Sequence, residues 1–188
     1  MPLHLKPDRE KSLLRRHPWV FSGAIQRTEG GANPGQTVDI LSGSGKWMAR
    51  GAISPGSQII ARVWTFDQQD MIDDSFFFRR IEKSVSFRKK LYGGALPDAC
   101  RLVYAESDGL PGLIADKYGD FLVCQFLSAG AEYWKESVVQ ILHTMIPCKG
   151  IFERSDADVR TNEGLSLQIV VVCGKEAPEQ ITVEIGSE

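Results

Sequence analysis

Along this chain, apolar residues gather in short runs broken by glycine, proline and small polar residues, a pattern that predicts strands joined by tight turns. Four such runs, Trp19 to Ile25, Gln36 to Leu41, Trp47 to Ile53 and Gln58 to Phe66, are separated by the stretches EGGANPG, SGSG and SPGS. Ahead of them, LKPDREKSLLRRHPWVF reads as a short helix. Asp8 is its expected N-cap, and Pro18 ends it by disfavouring the helical region at His17. Lys11 and Arg15 then share one face. Several short strands after one early helix predict a small closed or half-closed β-barrel.

The polar joint TFDQQDMIDD precedes a second helix, expected from Asp73 to Tyr92. Acidic residues open it, Arg88, Lys89 and Lys90 lie in its last turns, and Gly93-Gly94 stops it. Its expected apolar stripe is Phe78, Ile81, Val85 and Tyr92. Beyond it come a strand from Arg101 to Ala105, a hairpin whose apolar arms are Leu113 to Ala115 and Phe121 to Leu127, and an amphipathic helix near Ala131 to Met145. Two more strand-like runs, Gly150 to Arg154 and Leu165 to Cys173, give a strand-strand-helix-strand-strand order, and residues 174–188 start another extended segment. The expected class is therefore α+β, with one domain over residues 1–72 and a second over residues 73–188.

Composition changes this picture little. With 188 residues and 43% apolar content the chain can bury real cores. No apolar run approaches the roughly 20 residues needed to span a bilayer, so a cytoplasmic setting is expected. The four cysteines lie about 24 residues apart without a C-x-x-C pair, and the three histidines are scattered, so reduced thiols and no metal site are expected. Charge is more informative. Residues 1–72 carry nine Lys/Arg against six Asp/Glu, and residues 73–188 carry thirteen against eighteen. The early basic excess suits either a polyanion-binding surface or a solvated face.

Candidate chemistry is sparse. ESDGLPGLIADKYGDFL, residues 106–122, holds four carboxylates, but Gly109-Leu110-Pro111-Gly112 and Gly119-Asp120 are turn punctuation. Glu106, Asp108 and Asp116 are expected to be solvated or to cap backbone N–H groups. A hydrolase that uses them requires that they converge in one pocket. SGSGKW resembles a P-loop but lacks its earlier glycine and following helix. LSAGAEY has one glycine where a dinucleotide loop needs three. No cysteine sits in a recognisable nucleophile pattern.

Four strings carry a resemblance: REKSLLRRHPWVFSGAI (9–25), GKWMARGAISPGSQIIARVWTF (45–66), AESDGLPGLIADKYGDFLVCQFLSAGAEY (105–133) and IFERSDADVRTNEGL (151–165). In that order they resemble the bacterial ribosomal RNA large subunit methyltransferase I family, S-adenosylmethionine (SAM)-dependent enzymes that make 5-methylcytosine in 23S rRNA. The resemblance implies an N-terminal PUA-like barrel and a central β-β-α-β-β domain. It also implies that the C-terminal Rossmann-like methyltransferase domain is absent. With that domain go the SAM loop and the nucleophilic cysteine, so the expectation is no catalytic residue and no cofactor in this chain, SAM being the cofactor of the full-length family.

The function so implied is RNA recognition and scaffolding for an rRNA cytosine-5 methyltransferase, as a truncated chain inactive alone. The alternative is a stand-alone RNA-binding or ribosome-assembly module without catalysis. The expected partner is 23S rRNA, with a homodimer possible and no membrane. Lys11, Arg15 and Arg16 are the expected phosphate contacts, and Trp19 stacks on a base or packs in the core. Arg79 and Arg80 on the central helix are expected to contribute little.

Overall fold

The computed structural model describes residues 2–183. Its first part contains β1 (Pro2–Leu5), α1 (Lys11–Leu14), β2 (Trp19–Phe21), β3 (Ile25–Thr28), β4 (Thr37–Leu41), β5 (Trp47–Ile53) and β6 (Ile59–Thr65). These strands form one six-stranded sheet in the order β2-β6-β5-β4-β1-β3. β4, β5 and β6 are antiparallel neighbours joined by short turns, whereas β1 runs parallel to β4 and antiparallel to β3. The sheet curls around Leu3, Leu5, Leu13, Val20, Val38, Ile40 and Val63, all buried. Alternation along β4, where Val38 and Ile40 point in, is what half-buried strands require.

Two features of this part differ from the sequence reading. The run Trp19 to Ile25 is not one strand. Ser22–Ala24 form a 3-10 turn, so its two halves become β2 and β3, which lie at opposite ends of the strand order. Small residues at Ser22-Gly23-Ala24 offer little side-chain packing to hold that stretch extended. Strand β1 also went unseen, because four residues give too short a pattern for periodicity to register. The first helix has only four residues and begins after Glu10, while Asp8 sits at φ 65° in the left-handed region rather than at the N-cap. Glu10 reaches instead to the backbone N–H of Gly43 at 3.0 Å. That hydrogen bond holds its carboxyl below the usual range and ties α1 to the β4–β5 turn.

The second part contains α2 (Asp74–Leu91), β7 (Ala99–Tyr104), β8 (Leu113–Tyr118), β9 (Phe121–Phe126), α3 (Ala129–Tyr133), α4 (Lys135–Met145), β10 (Gly150–Ser155), α5 (Val159–Asn162) and β11 (Gln168–Gly174). The five strands form a mixed sheet in the order β11-β10-β9-β8-β7. Every neighbouring pair is antiparallel except β9 and β10, which the α3–α4 crossover makes parallel. The expected strand-strand-helix-strand-strand order is therefore corrected to three strands, a helical crossover and two strands. Strands β7, β8 and β9 form a meander because the turns at 105–112 and 119–120 reverse the chain twice. The remainder of the expected extended segment after Gly174 contains no strand among the described residues, and residues 184–188 lie outside them.

Helix α2 starts where the sequence places it. Asp73 accepts a hydrogen bond from the Phe76 N–H at 2.9 Å, and Arg88, Lys89 and Lys90 face the negative end of the helix dipole. Its buried stripe is Phe76, Phe77, Ile81, Ser84 and Val85, while Phe78 and Tyr92 of the expected stripe are exposed. Three consecutive phenylalanines make the rotation of this helix unreadable from periodicity alone. Docking decides it, because Phe77 packs edge-on against Trp64 of β6 and tilts over Trp134 at 4.8 Å. Trp64 and Ala52 thus belong to the core of the second part although they lie in the barrel.

Candidate nucleic-acid interface and the joint beside it

The four residues singled out by sequence sit on and just after α1. Lys11 and Arg15 are exposed at its two ends. Arg16 follows in the left-handed region at φ 61°, which turns its side chain back over the Phe66 ring, 5.0 Å from the centroid. Its Nη1 also donates to the Phe66 carbonyl at 3.4 Å. Trp19 opens β2 half-buried, and its indole Nε1 donates to Glu106 at 2.8 Å. The three cations therefore share one solvent-facing turn. Trp19 differs from them, since its polar edge is committed to a residue of the second part.

Glu106, Asp108 and Asp116 do not converge. Glu106 holds Trp19. Asp108 takes a two-pronged contact from Arg88, at 2.6 and 2.7 Å, and caps the Tyr104 N–H at 2.6 Å. Asp116 pairs with Arg101 across the β7–β8 ladder, at 2.8 and 3.1 Å. Each acid fixes a turn or a strand pair, which removes the geometry that a carboxylate hydrolase needs. The thiols are no better placed for nucleophilic work. All four cysteines are free, and burial pushes the Cys124, Cys100 and Cys148 thiols up, away from the reactive thiolate. Among the described residues no group of three or more metal-ligating side chains is present.

The joint between the two parts is where buried polar chemistry accumulates. Glu163 is buried and accepts hydrogen bonds from the Ser54 and Ser57 hydroxyls, both at 2.7 Å, and from the Ala129 N–H at 3.4 Å. Arg62 Nη1 approaches it at 2.7 Å as an ion pair without hydrogen-bond alignment. Nearby, the fully buried Arg160 donates to the carbonyls of Phe126 and Ser166 and to Glu132 at 2.8 Å. Lys135 bridges Glu132 and Glu153 in turn, at 2.5 and 3.0 Å. Burial alone would raise the Glu132 carboxyl, but the hydrogen bonds from Lys135 and Arg160 outweigh it and hold that carboxyl below its ordinary range. The string IFERSDADVRTNEGL thus supplies Glu153, Ser155, Arg160 and Glu163 to the interior. Their burial was not legible in sequence, where a polar residue in a strand or a loop reads as facing solvent.

An open cleft of about 850 Å³ lies beside this joint, bordered by Arg16, Phe66 and Asp67 of the barrel side and by Arg80, Glu106 and Gly109 of the other. The sequence reading expects Arg80 to contribute little. Only the packing of α2 against the 105–112 turn brings it to the cleft.

Comparison with known proteins defines the class. Residues 3–66 match the PUA-like domain family, and those residues are the β1–β6 barrel. The chain is 51% identical over 182 residues to the ribosomal RNA large subunit methyltransferase I of Shigella boydii serotype 4, covering 97% of this chain and 46% of that protein. It is 51% identical to the same-named protein of Salmonella arizonae and 50% identical to that of Yersinia pseudotuberculosis, with 97% and 96% of this chain covered. The resemblance read from the sequence is borne out: over nearly all its length this chain is a relative of the ribosomal RNA large subunit methyltransferase I proteins. It spans about half the length of those relatives.

Two solved structures share the fold. One, from Streptococcus mutans, is assigned as a SAM-dependent methyltransferase, and the other as a methyltransferase complexed with SAH. Both match with a TM-score of 0.77 at 20% identity, over 97% of this chain and 46% and 45% of theirs. These likenesses overturn two expectations. An α+β chain defined by the absence of a Rossmann-like methyltransferase domain is not what they describe. The chain superposes on methyltransferases over 97% of its length, and its five-stranded sheet itself carries one β-α-β crossover of the kind that Rossmann-like sheets repeat. The expectation of no cofactor is overturned with it, since one of those methyltransferases is complexed with SAH. Among the described residues, no helix is long and apolar enough to cross a membrane.

Proposed function

We propose that this chain recognises and positions ribosomal RNA for a SAM-dependent methyltransferase that makes 5-methylcytosine in 23S rRNA. One observation carries the reading. The PUA-like barrel of a chain 50% identical to ribosomal RNA methyltransferases presents Lys11, Arg15 and Arg16 on one exposed turn, with none of the three in an ion pair among the described residues. Cations without a carboxylate partner on a fixed turn suit phosphate contacts, which position a nucleic acid without reading its sequence. Trp19, tied to Glu106, acts as a positioning residue that holds β2 and the turn before it against the second part.

SAM supplies the methyl group in this reading. The β9–α3 turn is the described strand-to-helix connection nearest in form to a nucleotide site, and its interior is filled. Ser128 caps the helix at Ala131, Glu163 occupies the Ala129 N–H, and Gly130 is closed against Ala52 and Trp64. That turn does not fit the cofactor, and no chemical step is derived through it. What the described residues contribute is binding and orientation of the RNA, so that a target cytosine can leave its stack.

The test is the salt dependence of binding to a 23S rRNA transcript. Each phosphate contact contributes a slope of roughly 0.7 to 0.9 in log K against log salt. Arg15→Ala/Arg16→Ala is expected to lower the slope by about 1.4 to 1.8. An unchanged slope, with the fold intact by circular dichroism, removes this turn from the RNA surface.

A further inference from the structure

We propose that a trough crossing the joint and continuing along α2 binds a single-stranded segment of RNA. This rests on the reading of RNA as the partner and adds to it a second contact surface, on the helix whose Arg79 and Arg80 the sequence reading expected to contribute little. Two adjoining hollows, of about 850 and 320 Å³, share Arg80 and Gly109. Arg16 and Phe66 border the first, and Lys83 and Phe87 of α2 border the second. Gly109 has φ 70°, and a Cβ there would lie 2.7 Å from Arg80 Nη1. Glycine at this point lets the turn pass close beneath the guanidinium.

The charges along the trough are used unequally. Its carboxylates are already engaged inside the protein. Asp108 is held by Arg88, and Glu106 by the Trp19 indole. Asp70 accepts from the Thr65 hydroxyl at 2.6 Å, and Asp67 from the Gln69 N–H at 2.9 Å. Its cations are largely unspent. Lys83 is exposed and has no ion pair or hydrogen bond among the described residues. Arg80 makes no hydrogen bond among them; its guanidinium lies 5.0 Å from the Phe76 ring centroid and 4.0 Å from Asp70. Arg16 donates one long bond, at 3.4 Å. Three cations and four carboxylates line the two hollows, with Arg88 behind Asp108 evening the count, so it is the unused donors of Arg16, Arg80 and Lys83 that suit the phosphates of an anionic ligand.

Aromatic rings alternate with these cations. Phe66 is half-buried on the barrel side, and Phe87 is 59% exposed on α2. Arg88 lies 5.4 Å from the Phe87 ring centroid and Arg16 lies 5.0 Å from that of Phe66, so each ring is paired with a guanidinium on which a base could also stack. Alternating cations and stacking faces along an open trough are the arrangement that holds a single strand, phosphates on the cations and bases on the rings. An acidic peptide would use the cations but leave the rings without base stacking, which makes it the alternative that the experiment distinguishes.

The 188-residue chain is titrated against a fluorescent single-stranded oligouridylate, by anisotropy, at a series of salt concentrations. Arg80→Ala/Lys83→Ala is expected to lower the salt slope by about 1.4. Phe87→Ala is expected to weaken binding at least about five-fold, the lower end for loss of one stacked base, while Phe87→Tyr retains the parent affinity. Arg15→Ala, on the α1 turn, is expected to lower the slope by about 0.7. If Arg15→Ala lowers the slope but the α2 variants change nothing, the trough falls and the RNA reading stands. If no variant changes the slope, or no oligouridylate binds, the RNA reading falls and takes the trough with it. Displacement of the oligouridylate by polyglutamate at equal concentration also overturns the proposal.

Discussion

Glu163 lies 2.7 Å from Arg62 although 101 positions separate them, and their side chains are only 1% and 7% exposed. The pair closes the seam between the barrel and the mixed sheet. It joins a residue of β6 to one just beyond α5, with Ser54 and Ser57 completing the carboxylate's coordination.

Glu163→Gln is therefore expected to destabilise the chain by about 3 to 5 kcal/mol, because it leaves the Arg62 charge buried without a partner. Ser54→Ala and Ser57→Ala each remove one neutral donor and are expected to cost about 1 to 3 kcal/mol. Urea unfolding followed by tryptophan fluorescence measures all three. A Glu163→Gln midpoint equal to the parent's would show that the pair adds nothing to stability.

Gly130→Ala sets two effects of opposite sign against each other. Alanine improves helix propensity by about 1 kcal/mol. A Cβ at this position of α3 would overlap the Ala52 Cβ and lie 2.8 Å from Trp64 Cζ2. Ala52 is a methyl group fixed to a strand, so it cannot swing aside, and overpacking of this kind costs about 1 to 3 kcal/mol. A net fall in melting temperature is expected, with partial recovery in Gly130→Ala/Ala52→Gly. A rise in melting temperature for the single variant would show that α3 can shift off the barrel without loss.

Acid sensitivity is expected to run through Glu132. Its folded-state carboxyl lies below the ordinary value, so the carboxylate form is favoured by folding. The stability it contributes is fully present above the unfolded value of about 4.3 and is lost as pH falls through the lowered folded value. Glu132→Gln is expected to be less stable than the parent at neutral pH and to lose less on acidification to pH 3. Thermal unfolding at both pH values tests this, and parallel curves for the two proteins would contradict it.

Much of the fold was legible because local physics specified it. Asp73, the cationic end of α2 and Gly93-Gly94 mark a helix whose observed bounds differ by one residue at each end from those expected. The turns at 109–112 and 119–120 announced the hairpin, and the resemblance to ribosomal RNA methyltransferases was carried by strings that hold this joint together. The rotation of α2 was not legible, since Phe76, Phe77 and Phe78 are equivalent until Trp64 and Trp134 receive one of them.

The sequence by itself determined the barrel strands β4, β5 and β6, helix α2 and the basic run after Glu10, all of which depend on near neighbours in the chain. Tertiary structure decided the rest. It sent the halves of the Trp19 to Ile25 run to opposite ends of a sheet, paired each of Glu106, Asp108 and Asp116 with a partner between 15 and 87 residues away, and buried Arg160 and Glu163 in a seam. A charged residue in a turn carries the same local signal whether water or an arginine from another element satisfies it. Only the assembled chain brings the second charge within reach.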